Sequence, residues 1–327
     1  MILTINPNAA VDKVMLIDEF RPGTSMRPDR VLLSIGGKAL DSALVLQTLG
    51  APVQALTFVA GENGRVLARL LEEKKIPTHL IWVDGDTRHT YVIVERALGR
   101  HSQLSIPGYT ITGAERATFI EQVRRYAPGA SWAVLAGSLP GGVGESFYRE
   151  LIEVLHEQGI RTLLDAFGPP ALEALRARPT VVKMNQSEFA RTFGVGEPSV
   201  ADAVPICREV IARYGLHTFV LTCGKQGLFA FTPERTLHAV GPVMKELNAS
   251  GSGDAVSGVL PYRLSLGDTW ERALQWATAA AAAVVITEGT AECHVEDIQR
   301  ILPSVQVRSA DAEMSFDPIT TFVALPH

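Results

Sequence analysis

The run Asn248-Ala249-Ser250-Gly251-Ser252-Gly253-Asp254 places three small residues directly before a carboxylate, and an apolar, helix-compatible stretch follows to Leu260. A small-residue turn entering a helix exposes several backbone N–H groups at the positive end of the helix dipole. That suits a phosphate, or the charge on a phosphoryl group in transfer, and an acid there is placed to take a proton from an attacking hydroxyl. The competing reading is a plain helix cap, with glycine for the turn and the acid for the free N–H groups, and on the motif alone the two weigh evenly. Three further loops share this character. Thr222-Cys223-Gly224-Lys225-Gln226-Gly227 lies between two strand-like runs and reads first as a glycine hairpin. Ile35-Gly36-Gly37-Lys38-Ala39-Leu40-Asp41 opens a helix, either as an anion site with its own cation or as a turn with an exposed lysine. Gly137-Ser138-Leu139-Pro140-Gly141-Gly142 follows a strand and, alone, is a rigid turn. Other chemistries lack their spacing. Gly258 falls too late for a dinucleotide GxGxxG, and neither a GxxxxGK[ST] nor a GxSxG occurs.

Such loops need a scaffold to bring them together. Short apolar runs at 2–5, 53–59, 80–83, 132–136, 162–164, 181–184, 218–222 and 228–231 read as strands. Helical patterns at 41–49, 64–75, 114–126, 144–158, 202–214, 254–265 and 269–286 fall between or after them. Strands alternating with helices predict an α/β fold, a mostly parallel sheet covered on both faces, with ligands at the carboxyl ends of the strands. Segments 13–33 and 87–106 break the rhythm with strand-like pieces and no helix, and together predict a small β-strand lid.

Composition narrows the partners. The 327 residues are 46% hydrophobic and 20% charged, as in an ordinary soluble globular protein. A net charge of -5 leaves no basic footprint for nucleic acid. The longest wholly apolar stretch falls far short of the roughly 20 residues a membrane helix needs. The opening run MILTINPNAAVDK lacks a basic start or cleavage site, so no membrane or secretory signal is expected. Cys207, Cys223 and Cys293, without a CxxC pattern, fit a reducing cytoplasm with no disulfide framework or structural zinc.

In this order, the four loops resemble the PfkB family of carbohydrate kinases (the ribokinase superfamily) to about residue 303. The family's D/N-[ST]-x-G-A-G-D signature is similar to Asn248–Asp254, and its G-G-K-G-x-N to Gly36–Asp41, with Gly50 after the helix. The branch acting on hexose phosphates (1-phosphofructokinase, tagatose-6-phosphate kinase, minor 6-phosphofructokinase) carries T-L-N-P-A-x-D, S-G-S-L-P-x-G and K-P-N-x-x-E-L. These resemble Thr4–Asp12, Ala136–Gly142 and Lys183–Phe189.

The resemblance implies a single ribokinase-like three-layer α/β/α kinase domain over 1–303, with 304–327 an extension of unassigned role. It implies ATP-dependent phosphorylation of fructose 1-phosphate, fructose 6-phosphate or tagatose 6-phosphate. An unphosphorylated sugar or nucleoside, or a catalytically weak sugar-phosphate-binding protein, stays open. Asp254 would be the general base, with the Gly251, Ser252 and Gly253 amides holding the transferring group. Thr222, Gly224 and Gly227 would line the ATP phosphates and ribose. Asn185 and Glu188 would organise Mg²⁺, Glu188 acting indirectly through water. Asp12, Gly37 and Asp41 would contact sugar hydroxyls, while Arg88, Arg27 and Lys38 grip the phosphate already on the substrate. A homodimer through the lid is expected. The chain departs from the pattern at Asp41 (Asn in the family), Ala39 (Gly), Ala249 (Ser or Thr), Ser252 (Ala) and Thr90 (Asn).

Overall fold

The computed structural model describes residues 1–196 and 199–310. The chain begins with β1 (Ile2–Asn6), enters the lid as β2 (Ala10–Ile17) and β3 (Arg30–Gly36), and returns through α1 (Lys38–Thr48). Then come β4 (Val53–Ala60), α2 (Gly61–Glu73) and β5 (Thr78–Val83). A second excursion, β6 (Arg88–Glu95) and β7 (Arg100–Ser105), completes the lid before α3 (Gly113–Tyr126). The alternation resumes with β8 (Trp132–Ala136), α4 (Phe147–Glu157), β9 (Arg161–Asp165) and α5 (Pro169–Leu175). It continues through β10 (Val181–Asn185), α6 (Gln186–Phe193), α7 (Val200–Tyr214) and β11 (Thr218–Thr222). Strands β12 (Leu228–Phe231) and β13 (Thr236–Val240), helices α8 (Ser252–Ser265), α9 (Trp270–Val285) and α10 (Val295–Ile301), and β14 (Gln306–Ser309) follow.

Among the described residues the main sheet has ten strands in the order β14-β13-β12-β11-β10-β9-β8-β1-β4-β5. From β5 to β11 neighbours run parallel, and from β11 to β14 antiparallel. Every residue of β1 is buried, because helices cover both faces of a parallel sheet and leave no side for water. One apolar core, with Leu40, Val45, Val256 and Leu274, lies under α1, α2, α8, α9 and α10. The other, with Phe119, Leu151, Phe189 and Phe219, lies under α3 to α7. That is the three-layer α/β/α arrangement. Strand β1 pairs with β4 on one side and β8 on the other. The order of the chain reverses there, which opens a crevice beyond the carboxyl ends of the strands.

Small residues bring the helices near that crevice close together. A Cβ on Gly258 would lie 2.9 Å from the carbonyl oxygen of Ser42, so glycine lets α1 and α8 touch. The alanine run of α9 serves the same end, with Ala277, Ala279, Ala280 and Ala283 fully buried.

The lid is a second, four-stranded sheet in the order β3-β2-β6-β7. Val14, Leu16, Val92 and Val94 form its own small core. An ion pair between Arg30 and Glu288 at 2.7 Å ties it to the main domain, and His101 Nδ1 lies 3.9 Å from Glu246 Oε1. The boundary expected at 303 falls too early. Gln306–Ser309 pairs with β13 and ends the main sheet, a strand too short and polar to announce itself in the sequence. The remainder of the expected extension, 311–327, lies outside the described residues. Among the described residues no helix is long and apolar enough to cross a membrane.

Candidate active site

The strand ends converge on one cavity of about 300 Å³, whose lining includes Lys38, Lys183, Asn185, Thr222, Gly253 and Asp254. It shares Gly224, Gly227, Leu228, Ala249, Ser252 and Ala281 with an adjoining slot of about 180 Å³, which extends to Met244, Ala282 and Val285. The slot is narrow and largely apolar, a shape that suits a flat base; the cavity is polar and suits phosphates. Gly224 and Gly227 thus stand at the join, with Thr222 beside them on the cavity side. Their loop is also the hairpin between antiparallel β11 and β12, so both readings of it hold. Gly227 takes φ +90°, and a Cβ there would lie 2.2 Å from the Ala239 carbonyl oxygen. A larger cavity, about 980 Å³, lies at the opposite ends of the strands, around Trp132, Arg161 and His217, away from these residues.

Helix α8 starts at the cavity. Its cap residue is Gly251, at φ 86°, and no side chain caps the helix. Asp254 stands at the third helical position rather than at the cap, so its carboxyl is not the stopper that a structural reading requires. The first-turn N–H groups keep their capacity for an anion. Gly253 is needed for a reason the sequence hides: a Cβ would come 3.0 Å from the Lys183 ammonium.

Beneath α8 lies a charged network that no local motif shows. Asp165, wholly buried at the end of β9, accepts from Lys38 Nζ at 2.7 Å, Lys183 Nζ at 2.8 Å and Ser257 Oγ at 2.6 Å. Lys38 Nζ also donates to Glu188 Oε1 at 2.5 Å. Burial works against the Asp165 charge, but the Lys183 and Lys38 charges outweigh it and hold the carboxyl well below the usual carboxylate range. Burial likewise opposes the Lys38 charge, and Asp165, Glu188 and Asp254 reverse the balance, so its pKa is raised. Asp254 moves the other way. Burial pushes its carboxyl up to about 7, Asp165's charge adds to the rise, and Lys38 and Lys183 oppose it. A base with that proton affinity is poised for transfer near neutral pH.

On the lid side Asp12, from β2, is also raised to about 7, by burial against a hydrogen bond from Thr90 and the charge of Arg88. A Cβ on Gly36 would sit 2.1 Å from Asp12 Oδ1, and one on Gly37, at φ +116°, 2.7 Å from the Asn6 amide. The glycine pair lets β3 turn into α1 against both side chains. Asn6 Oδ1 then accepts from the Ala39 N–H at 3.1 Å. Several buried polar atoms around this wall lack a partner: Asn6 Nδ2, Asn8 Oδ1, Asp41 Oδ1 and Arg88 Nε. Unpaired buried donors and acceptors are costly, and their gathering in one place marks a surface built for a polar ligand.

The structure separates some of the residues expected to act together. Lys38 lines the cavity, and Asp165 and Glu188 hold its ammonium under α8. Arg27 is exposed in the loop joining β2 to β3. Arg88 pairs opposite Ala10 at the other end of β2, so the two arginines are about 20 Å apart at the usual rise per residue. Asn185 and Glu188 form a capping box at the start of α6, Asn185 Oδ1 accepting the Glu188 N–H at 2.8 Å and Glu188 Oε2 the Asn185 N–H at 3.0 Å. Glu188 is buried and paired with Lys38, so its first task is structural. Among the described residues no group of three or more His, Cys, Asp or Glu side chains is arranged to hold a metal ion. No motif in the sequence marks Asp165, though an acid closing a buried strand at its carboxyl end is a signal of its own.

Comparison with known proteins agrees with this geometry. The chain is 29% identical over 309 residues to the 1-phosphofructokinase of Bacillus subtilis, covering 94% of this chain and 99% of that protein. It is 27% identical over 315 residues to the tagatose-6-phosphate kinase of Staphylococcus epidermidis, covering 94% and 99%. The crystal structure of phosphofructokinase-2 from Escherichia coli in complex with substrates and products superposes with a TM-score of 0.84 at 25% identity, covering 92% and 98%. Residues 4–298 match the pfkB family carbohydrate kinases, and with the uncapped helix start, its acid and the lid in place, the chain belongs to that family.

Proposed function

We propose that this protein transfers the γ-phosphoryl group of ATP to a hydroxyl of a hexose phosphate of the fructose or tagatose type. The observation that carries the reading is Asp254 at the uncapped start of α8, flanked by Lys183 and Lys38, with Asp41 between it and the lid residues Asp12 and Arg88. The sugar hydroxyl attacks the γ-phosphorus, the bond to the bridging oxygen of ADP breaks, and the hydroxyl proton passes to the Asp254 carboxylate. The α8 N–H groups and Lys183 receive the charge that develops on the phosphoryl oxygens. The nucleotide base occupies the slot beside Met244 and Val285, and its phosphates pass Thr222, Gly224 and Gly227.

Mg²⁺ fits this donor set only with its water shell. Asp254, the acid lining the cavity, is the proton acceptor, Asp165 and Glu188 behind it are already neutralised by lysines, and Asn185 is an exposed oxygen donor at the cavity. When bound along with the nucleotide, the ion neutralises phosphate charge. Asn185 and Glu188 then hold its waters rather than the metal itself.

One observation favours an uncharged substrate instead. Of the three cations expected to grip the substrate's phosphate, Lys38 is held by Asp165 and Glu188 under α8, and Arg27 lies at the far end of the lid from Arg88. A coupled assay of ADP release over fructose 1-phosphate, fructose 6-phosphate, tagatose 6-phosphate and the free sugars decides the matter. We expect kcat/KM at least tenfold higher on one sugar phosphate than on any free sugar. Preference for a free sugar overturns the substrate, and no ADP release from any of them overturns the kinase.

The lid supports a homodimer. Its outward face exposes Val31, Leu33 and Leu104 at 53%, 50% and 56%, in register with Lys13, Met15 and Tyr91. Both edges, β3 and β7, are unpaired among the described residues. Apolar faces and open strand edges of this kind are ordinarily covered. Sedimentation is expected to give twice the chain mass, and Val31→Asp with Leu33→Asp to give a monomer. A wild-type monomer at micromolar concentration, or a variant that stays dimeric, refutes the assignment.

A further inference from the structure

Asp41 is in the first turn of α1, 4% exposed, with Oδ1 free of any hydrogen-bond partner. Its helix neighbour Lys38 is taken by Asp165 and Glu188 at 2.7 and 2.5 Å. The charges facing it come from three other elements: Asp254 on α8, Asp12 on β2 and Arg88 on β6. Two of these are acids. Arg88 turns its terminal nitrogens to Thr90 Oγ1 at 3.4 Å and the Asn8 carbonyl at 3.5 Å. The strands β1, β4 and β8, which also pack on α1, carry no ionisable side chain, and β3 carries only Arg30, paired with Glu288.

A carboxylate removed from water, unpaired and set between two acids takes up a proton in preference to paying the desolvation cost. Burial first, then the charges of Asp254 and Asp12, hold the Asp41 pKa well above its ordinary value. A carboxylic acid has one O–H donor and one carbonyl acceptor, the same pair of functions that an asparagine amide presents, whereas the ionised form only accepts.

We propose that Asp41 is a substrate-recognition residue that works as a neutral carboxylic acid. Its O–H donates to one hydroxyl oxygen of the sugar, and Oδ1 accepts from a neighbouring hydroxyl. This rests on the sugar-phosphate kinase reading and deepens it. The acid at 41 then adds no negative charge opposite a doubly charged substrate, so a pocket with Arg88 as its cation holds a phosphosugar. Losing the proton removes a donor and introduces a repulsive charge in one step. Rising pH therefore weakens substrate binding, the reverse of its effect on the base Asp254.

The test is KM for the best sugar phosphate from pH 6 to 9, in wild type, Asp41→Asn and Asp41→Leu. Titration of the substrate is common to all three and cancels in the ratios, and Asp41→Asn and Asp41→Leu, both uncharged at 41, share the titration of Asp12 and Asp254. We expect the wild-type KM to exceed that of Asp41→Asn by at least fivefold at pH 9, with the excess shrinking as pH falls. Asp41→Leu, neutral but without a donor, is expected to raise KM at least tenfold at every pH. A wild-type to asparagine ratio independent of pH overturns the proposal, as does a leucine variant with wild-type KM. Melting of the ligand-free proteins provides a readout besides activity. Asp41→Asn should melt higher than wild type at pH 8.5, with the difference shrinking as pH falls and vanishing only below about pH 4, where the unfolded carboxyl is protonated too, and a pH-independent difference counts against the neutral acid. If no sugar phosphate is turned over, the kinase reading fails while the melts still decide the charge state of Asp41.

Discussion

Asp254→Asn is expected to lower kcat by a factor of about 10²–10⁴, the usual loss when a positioned general base is removed. The nucleotide slot does not include this side chain, so the dissociation constant for ATP should change by less than about twofold, since binding at the slot and chemistry at α8 use different groups. The pH profile identifies the group. With its carboxyl at about 7, wild-type kcat falls as pH drops below neutral, because the base is then already protonated. The asparagine variant should lose that acid limb. Stability moves the opposite way. An acid whose pKa is raised on folding holds more protons in the native state than in the unfolded one, so stability declines as pH rises from about 4 to 7. The variant escapes this decline and should melt higher than wild type at pH 8. A variant keeping more than a tenth of the turnover, or an unchanged acid limb, means that another group takes the proton.

The largest effect on stability is expected from Asp165→Leu. The substitution leaves Lys183, 2% exposed, without its counter-charge, and breaking a buried pair from one side costs about 3–5 kcal/mol. A native margin of about 5–15 kcal/mol makes that a severe loss. Removing both charges should be far milder, so Asp165→Leu with Lys183→Met is expected to recover most of it, as a cycle of urea denaturations at pH 7 would measure. The wild-type carboxyl is held below the usual range, so its contribution is complete at neutral pH and disappears only in strong acid. A single-variant loss under about 1 kcal/mol, or a double variant no better than the single, would show that the lysines find other partners. Turnover should fall too, because Lys38 takes its place at the cavity from Asp165.

Much of this was legible one segment at a time. The buried runs of β1, β4, β8 and β10 are too apolar for anything but covered strands, and the amphipathic patterns between them could only be helices packed on a sheet. The loop motifs were legible because each needs residues adjacent in the chain: Gly251 and Gly253 at a helix start, Gly36 and Gly37 before α1. Elements with weak local signals escaped. Helix α5 is seven residues long and opens with two prolines, and β13 and β14 are short strands that carry His238 and Arg308. Their pairing comes from the sheet edge beside them, which the sequence does not display.

The sequence by itself determined the covalent vocabulary of the site: an acid after a glycine turn, glycine pairs where backbone must approach, a lid without helices. Those are properties of neighbouring residues, governed by backbone freedom and by period. The tertiary structure alone decided which charges meet. Asp165 lies 127 residues from Lys38 and 92 from Ser257, so no spacing rule connects them. The same structure turned Lys38 away from the lid, separated Arg27 from Arg88, and enclosed Asp12, Asp41 and Asp254 together. Charge interactions depend on distance and exclusion of water, both created when the chain closes on itself, and so the protonation of these acids is a property of the fold.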